Sequence, residues 1–203
     1  MTIVRMLLLL ACLIRPADAA PEMPDRLEPG TFLEGRFRQE RILAGLERPL
    51  VSEGRFLVVP GLGLIWRTET PLSSSMILTG AGMDQYVGER LAMRLSADRL
   101  PGLARLHAAL AAAMAGELQA LERDFDVRHE GSADGWQVRL VPRVAPSATL
   151  PFSEIVLRGH RHVEQAEIGR DGGDMDRILF SAHRIRKGPP DAADLELLSR
   201  AGR

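Results

Sequence analysis

The sequence predicts an α+β domain built on a strongly curved antiparallel sheet. Three observations carry that expectation. Short segments of period two, punctuated by Gly and Pro, run from residue 31 to residue 96; one stretch of helical period lies near residues 100–122; period two returns from Phe125 onward. Strands this closely spaced pair as an antiparallel meander.

In chain order, residues 1–19 have the anatomy of a secretory signal: Arg5, an apolar run from Met6 to Ile14, then small residues ending in Ala17-Asp18-Ala19. The run is about nine residues, roughly half of what a membrane-crossing helix needs, and Arg15 closes it. Cleavage after Ala19 and export are expected. Cys12 follows Leu9-Leu10-Ala11, a loose likeness of a lipidation box, but the run before it is short and the run after it stays apolar. Cys12 is the one cysteine, so removal of the signal leaves no disulfide, thiol nucleophile or cysteine metal site. Residues 20–188 are then one domain, and 189–203 a tail that forms a short helix or stays mobile.

Residues 21–30 carry Pro21, Pro24 and Pro29-Gly30 and hold one helical turn at most. Strands are expected at Thr31–Leu43, Val51–Val59, Leu62–Thr68, Ser75–Thr79, Met83–Gly88 and Arg90–Leu95, the last with Leu91, Met93 and Leu95 sharing a face. Leu103, Leu106, Leu110, Met114, Leu118 and Leu121 then recur at steps of three and four, with Asp98 and Pro101 as a start signal. That predicts one amphipathic helix, Leu100–Glu122, of about 24 residues or ~36 Å, whose apolar face must lie on the sheet. Strand signals resume at Phe125–His129, Trp136–Val141, Ser153–Arg158, His162–Ile168 and Arg177–His183, with loops at 130–135 and 171–174.

Few residues invite chemistry. His160 and His162 share a strand face as metal ligands sometimes do, yet no third ligand has a convincing position. Asp171, Asp174 and Asp176 suggest a hard cation but lack the spacing of a calcium loop. Ser73-Ser74-Ser75 has no surrounding nucleophile elbow. A net charge of −1 argues against nucleic acid as a partner, and 4% aromatic content argues against stacking sites for sugars or bases. No cofactor motif or metal site is expected. Aliphatic surface is what the chain has in abundance, and it suits acyl chains, each buried methylene contributing about 0.8 kcal/mol.

The ordered set Phe37-x-Gln39, Ser52-Glu-Gly54-x-Phe56, Leu64-x-Trp66, Pro71 and Ile77-Leu78-Thr79, continued weakly by Trp136-x-Val-x-Leu-x-Pro142, resembles the LolA family of periplasmic lipoprotein carriers, in a divergent form similar to those of aryl polyene and related lipid-product systems. The resemblance implies an incomplete β-barrel whose concave apolar face is covered by one long and one or two short helices acting as a lid. It also implies a non-enzymatic role: an acylated lipoprotein or lipid-like cargo is taken from an inner-membrane transporter, sheltered, and passed to an outer-membrane receptor. The chain departs from the family in having Val58-Val59-Pro60 where a basic residue usually precedes the proline, and in its proline-rich, shortened leading segment.

The expected function is therefore a periplasmic carrier with an apolar cavity lined by Phe37, Phe56, Val58, Leu64, Trp66, Met76, Leu78, Leu91, Met93, Leu106, Leu110 and Met114. The alternative of a different class is an envelope interaction module or accessory subunit with a filled core. A third, an exported ester hydrolase, needs a Ser or Asp beside His at the cavity mouth.

Overall fold

The alternating segments become strands because each places large apolar side chains on one pleat face at every second residue. The computed structural model describes residues 24–97, 99, 101–132, 135–143 and 152–202, without the side chains of 101–104, 106, 107, 131, 132 and 171. The export signal, its cleavage at Ala19, Cys12, and the helix-start residue Asp98 lie outside the described residues.

The first meander is β1 (Thr31–Ile42), β2 (Leu50–Val59), β3 (Gly63–Thr70), β4 (Ser74–Thr79), β5 (Gly82–Val87) and β6 (Arg90–Ser96). After α1 (Pro101–Met114) and a 3-10 helix (Leu118–Arg123), a second meander follows: β7 (Phe125–Ser132), β8 (Gly135–Pro142), β9 (Glu154–Gly159), β10 (Val163–Gly169) and β11 (Met175–Lys187). The last element is α2 (Ala192–Arg200). Among the described residues the eleven strands form one antiparallel sheet in the order β6-β5-β4-β3-β2-β1-β11-β10-β9-β8-β7. The two meanders thus meet at the long pair β1–β11, while β6 and β7 remain the unpaired margins of a sheet that does not close into a barrel.

Curvature has local causes. Register shifts interrupt β1–β11 at Glu34/Arg36, β2–β3 at Glu53/Gly54 and β5–β6 at Gln85/Tyr86. Each extra residue bends its strand and increases the twist. The bent sheet wraps one face around a single apolar cluster drawn from both meanders, including Leu33, Phe37, Trp66, Trp136, Leu140 and Phe180. That face is the concave one.

The expected helix of about 24 residues is in fact two pieces, and Gly116 is the reason. It takes φ +73°, and a Cβ there would collide with the carbonyl oxygen of Asp25. The Glu117 amide donates to the Ala112 carbonyl at 2.8 Å and the Gly116 amide to Ala113 at 3.1 Å, the paired bonds of a Schellman stop. The leading segment crosses at this point, where the Leu27 amide donates to the Ala115 carbonyl at 2.9 Å. Leu118 and Leu121 beyond the break are still buried, so the apolar period survives the change of helix.

The tail forms α2, with the Asp191 side chain accepting from the Asp194 amide at its start. It lies on the convex face, where Leu198 and Ala201 join Phe32, Leu57, Ile65 and Ile77 in a second cluster. An ion pair between Arg67 and Asp194 fastens it to β3. Both faces of β2–β4 are consequently buried, which explains the unbroken apolar runs Phe56–Val59 and Leu64–Trp66. Elsewhere the convex face carries cross-strand ion pairs such as Arg158–Glu167 and Arg38–Glu53.

A Gly116→Ala substitution is expected to destabilise the protein by about 1–3 kcal/mol through backbone strain alone, with the crossing segment adding to it. Urea unfolding should show a lower midpoint at unchanged slope.

Candidate functional site

Cross-strand register turns the concave face of the first meander into ranks. One rank reads Leu33, Val58, Leu64, Leu78, Met83, Leu95 from β1 to β6. The next reads Gly35, Phe56, Trp66, Met76, Gln85, Met93, and the third Phe37, Gly54, Thr68, Ser74, Val87. Successive residues in a rank are direct neighbours across the ladder, so their side chains build one continuous floor.

The two glycines in these ranks differ: a ring meets the first, and at Gly54 the backbone of Arg67 and Thr68 on β3 fills the place of a Cβ. A Cβ at Gly35 would come 2.5 Å from Phe56 Cζ, so Phe56 lies over the bare backbone there. Beside Gly54, Phe37 and Trp66 stack with centroids 3.8 Å apart at 25°. Phe180 of β11 meets Phe56 and Trp66 edge-on at 5.5 and 6.0 Å. The edge-on geometry sets positive ring edges against negative faces.

Phe37, Phe56, Val58, Leu64, Trp66 and Leu78 are 0–7% exposed and belong to the concave cluster, together with Leu110 and Met114 from α1; Met76 and Met93 pack against it half-buried. The structure does not bring Leu91 into that group. The bulge at Gln85/Tyr86 places it opposite Tyr86, which packs against the convex cluster, and it is 39% exposed. The side chain of Leu106 lies outside the described residues. Sequence reasoning passed over the second meander's contribution, notably Trp136, Val138, Leu140, Leu157 and Phe180. Alternation in Trp136-x-Val-x-Leu was its signal.

At one corner the floor turns polar. Gln39 and Arg41 follow Phe37 along β1, and both donate to the Asp176 carboxylate, at 3.2 and 2.8 Å. Arg170 donates to the other oxygen at 2.6 Å. Burial alone would raise the Asp176 carboxyl, but the hydrogen bonds from Arg41 and Arg170 outweigh it and hold the group below its ordinary range. Asp174 accepts from the Ala44 amide at 2.8 Å. Asp174 and Asp176 therefore serve loop and strand structure.

The histidines separate differently from the sequence pattern. His160 Nδ1 sits 3.2 Å from Glu164, whereas the His162 ring lies 5.1 Å from that of His183. Among the described residues no group of three or more His, Cys, Asp or Glu side chains is placed to hold a metal ion. His183 lies 5.9 Å from the Phe56 ring. Burial lowers its basicity, the neighbouring His162 adds to this, and a backbone hydrogen bond to Val163 and the charge of Glu164 oppose it.

Two outcomes follow from this packing. Leu64→Ala should cost about 2–5 kcal/mol, since Leu64 is fully enclosed, while Leu91→Ala should cost less than about 1 kcal/mol. Because the folded state disfavours charged His183, the unfolded chain binds its proton more readily. Stability should thus fall as pH drops below about 6.5, the ordinary value, and His183→Phe should flatten that slope in denaturation curves between pH 7 and 5.

The profile of the family described as outer membrane lipoprotein carrier protein LolA-like matches residues 25–193. No curated protein sequence matches the chain. Among solved structures it is similar to a LolA superfamily protein of Nitrosomonas europaea, at 10% identity and TM-score 0.42, over 80% of this chain and 90% of that one. It is also similar to a putative outer membrane lipoprotein-sorting protein domain of Vibrio parahaemolyticus, at 11% identity and TM-score 0.41, over 83% and 92%. A third likeness is to the MucA/MucB complex of Pseudomonas aeruginosa, at 13% identity and TM-score 0.44, over 81% of this chain and 55% of that one. Among the described residues no helix is long and apolar enough to cross a membrane. The profile match over residues 25–193 places the chain in the LolA-like outer membrane lipoprotein carrier family.

Proposed function

We propose that this chain is exported to the periplasm and works there as a carrier, sheltering acyl chains of a lipoprotein or another lipid-like cargo between the concave floor and α1. The observation that carries this is the apolar floor that runs unbroken from Leu33 to Leu95 and from Phe56 to Met76, lying under an amphipathic helix. Family membership supports it. The floor offers no directional chemistry; it offers area. Each methylene that leaves water for it contributes about 0.8 kcal/mol, so a long chain is held firmly yet released once another apolar surface is presented. Transfer between an inner-membrane donor and an outer-membrane acceptor needs that reversibility and no catalysis.

A second reading rests on the same contacts. Leu110, Ala113 and Met114 of α1 pack into one cluster with the floor. A permanently filled core of this kind suits an interaction module whose partner binds its outer surfaces. The carrier requires α1 to move aside when cargo enters; the module does not.

Trp66 distinguishes them, because it stands in the middle of the floor. In a Trp136→Phe variant, a dibrominated C18 acyl chain should quench most of the remaining tryptophan emission, saturating at one to a few chains per protein. Protein purified from its native envelope fraction should also carry acyl material detectable by mass spectrometry. Unquenched Trp66 together with lipid-free protein would favour the module.

A further inference from the structure

On the convex face, a groove of about 540 Å³ opens between the start of α2 and the bulge of β11, and Arg36, Arg55, Arg67 and Arg184 line it. Their arrangement follows from the strand register. Arg36 stands directly opposite Arg55 and Arg55 opposite Arg67, so three guanidiniums follow one another across β1, β2 and β3, on the face opposite Phe37, Phe56 and Trp66. Like charges placed directly across a ladder repel and weaken it. Arg184 of β11, opposite Glu34, brings a fourth guanidinium to the same concavity.

The acidic groups around the groove are already engaged. Asp194 pairs with Arg67, and Glu34 pairs with Arg186 at 2.9 Å. Asp191 caps α2, where its side chain accepts the Asp194 amide at 2.8 Å and meets the partial positive charge of the helix start. Glu69 serves two arginines at once, accepting from Arg55 Nε at 2.6 Å and from Arg36 Nη2 at 3.2 Å. Arg184 is exposed and has no hydrogen-bond or ion-pair partner among the described residues. Arg36, Arg55 and Arg184 therefore share one carboxylate. Each retains N–H donors that the protein does not use.

We propose that this groove binds a phosphate monoester. Such a group carries a charge of about −1.5 to −2 at neutral pH and presents three terminal oxygens, which planar guanidinium forks meet two at a time. It bridges Arg184 and the Arg36–Arg55 pair and turns the repulsion along that rank into shared contacts. A carboxylate brings one charge and two oxygens, and leaves part of the rank unmet. The groove also has room for the group that bears the phosphate. This site lies across the sheet from the apolar floor and stands whatever the floor holds. The phosphate belongs either to a soluble ester or to the head of a lipid, and the two are separable by experiment.

In calorimetric titrations of the full chain at pH 7.5 and low salt, glycerol 3-phosphate should bind on the order of tenfold more tightly than dimethyl phosphate, a monoanion with two free oxygens. Arg184→Gln should weaken glycerol 3-phosphate on the order of tenfold while leaving the unfolding midpoint in place, because Arg184 supports no contact in the fold. Arg128→Gln, a change of an exposed arginine on β7, should leave binding as it is. Vesicles of nine parts phosphatidylcholine to one part phosphatidic acid identify the source. Cosedimentation with them that is absent with pure phosphatidylcholine and lost in Arg184→Gln assigns the phosphate to a lipid head; binding of glycerol 3-phosphate without cosedimentation assigns it to a soluble ester. Failure of both glycerol 3-phosphate and the vesicles to bind, affinity that Arg184→Gln does not change, or equally tight binding of a hexaglutamate peptide would overturn the phosphate site.

Discussion

The half-barrel depends on the pairing of β1 with β11. Each meander can form from its own neighbours, since every other ladder joins consecutive strands. The seam alone joins the beginning of the domain to its end, from Thr31 opposite Lys187 to Ile42 opposite Met175. Without it there would be two narrow sheets, each with one apolar face open to water. With it, Phe37 and Trp66 reach Phe180, and both faces share a single interior. The irregularity within the seam matters as much as its length, because the bulge at Ala182 and His183 bends the sheet at its centre.

The ladder also decides which residues belong together across the sheet. Phe56 lies over Gly35, whereas Gly54 makes room for the backbone of Arg67 and Thr68 at the β2–β3 bulge. Each glycine sits where a side chain would collide, with a ring in one case and with a strand's backbone in the other. On the outer surface α2 covers only the first meander, and the second meets solvent with alternating Arg and Glu. The molecule is thus layered unequally: helix, sheet and helix on one side of the seam, helix and bare sheet on the other.

Much of this was legible in the sequence because it depends on period and punctuation. Alternation placed every strand within a few residues, and the spacing from Leu103 to Leu121 found the covering element. What stayed hidden depends on distance and on single residues. Gly116 looked like one small residue in a long helical pattern, yet its positive φ ends α1. Leu91 appeared to share the face of Met93 until a bulge displaced it. Arg41 and Asp176 meet across 135 residues, a pairing no local pattern announces. The tail's destination was equally hidden, since its apolar positions, Leu197, Leu198 and Ala201, acquire meaning only against Ile65 and Ile77. His183 lay among the scattered histidines because its neighbours, Phe56 and His162, come from other strands.

The stop at Gly116 has a mechanical consequence. The C-terminal end of α1 is tied to the leading segment through Ala115 and Leu27, and that segment is tied onward to the β9–β10 turn by the Asp25 amide and the Arg161 carbonyl. Leu110, Ala113 and Met114 add apolar contact with the sheet, which has no preferred direction, so the directed bonds at Ala115 fix where α1 ends over the floor. The stop of the helix and the crossing of the leading segment occupy the same stretch of backbone, and one glycine makes room for both.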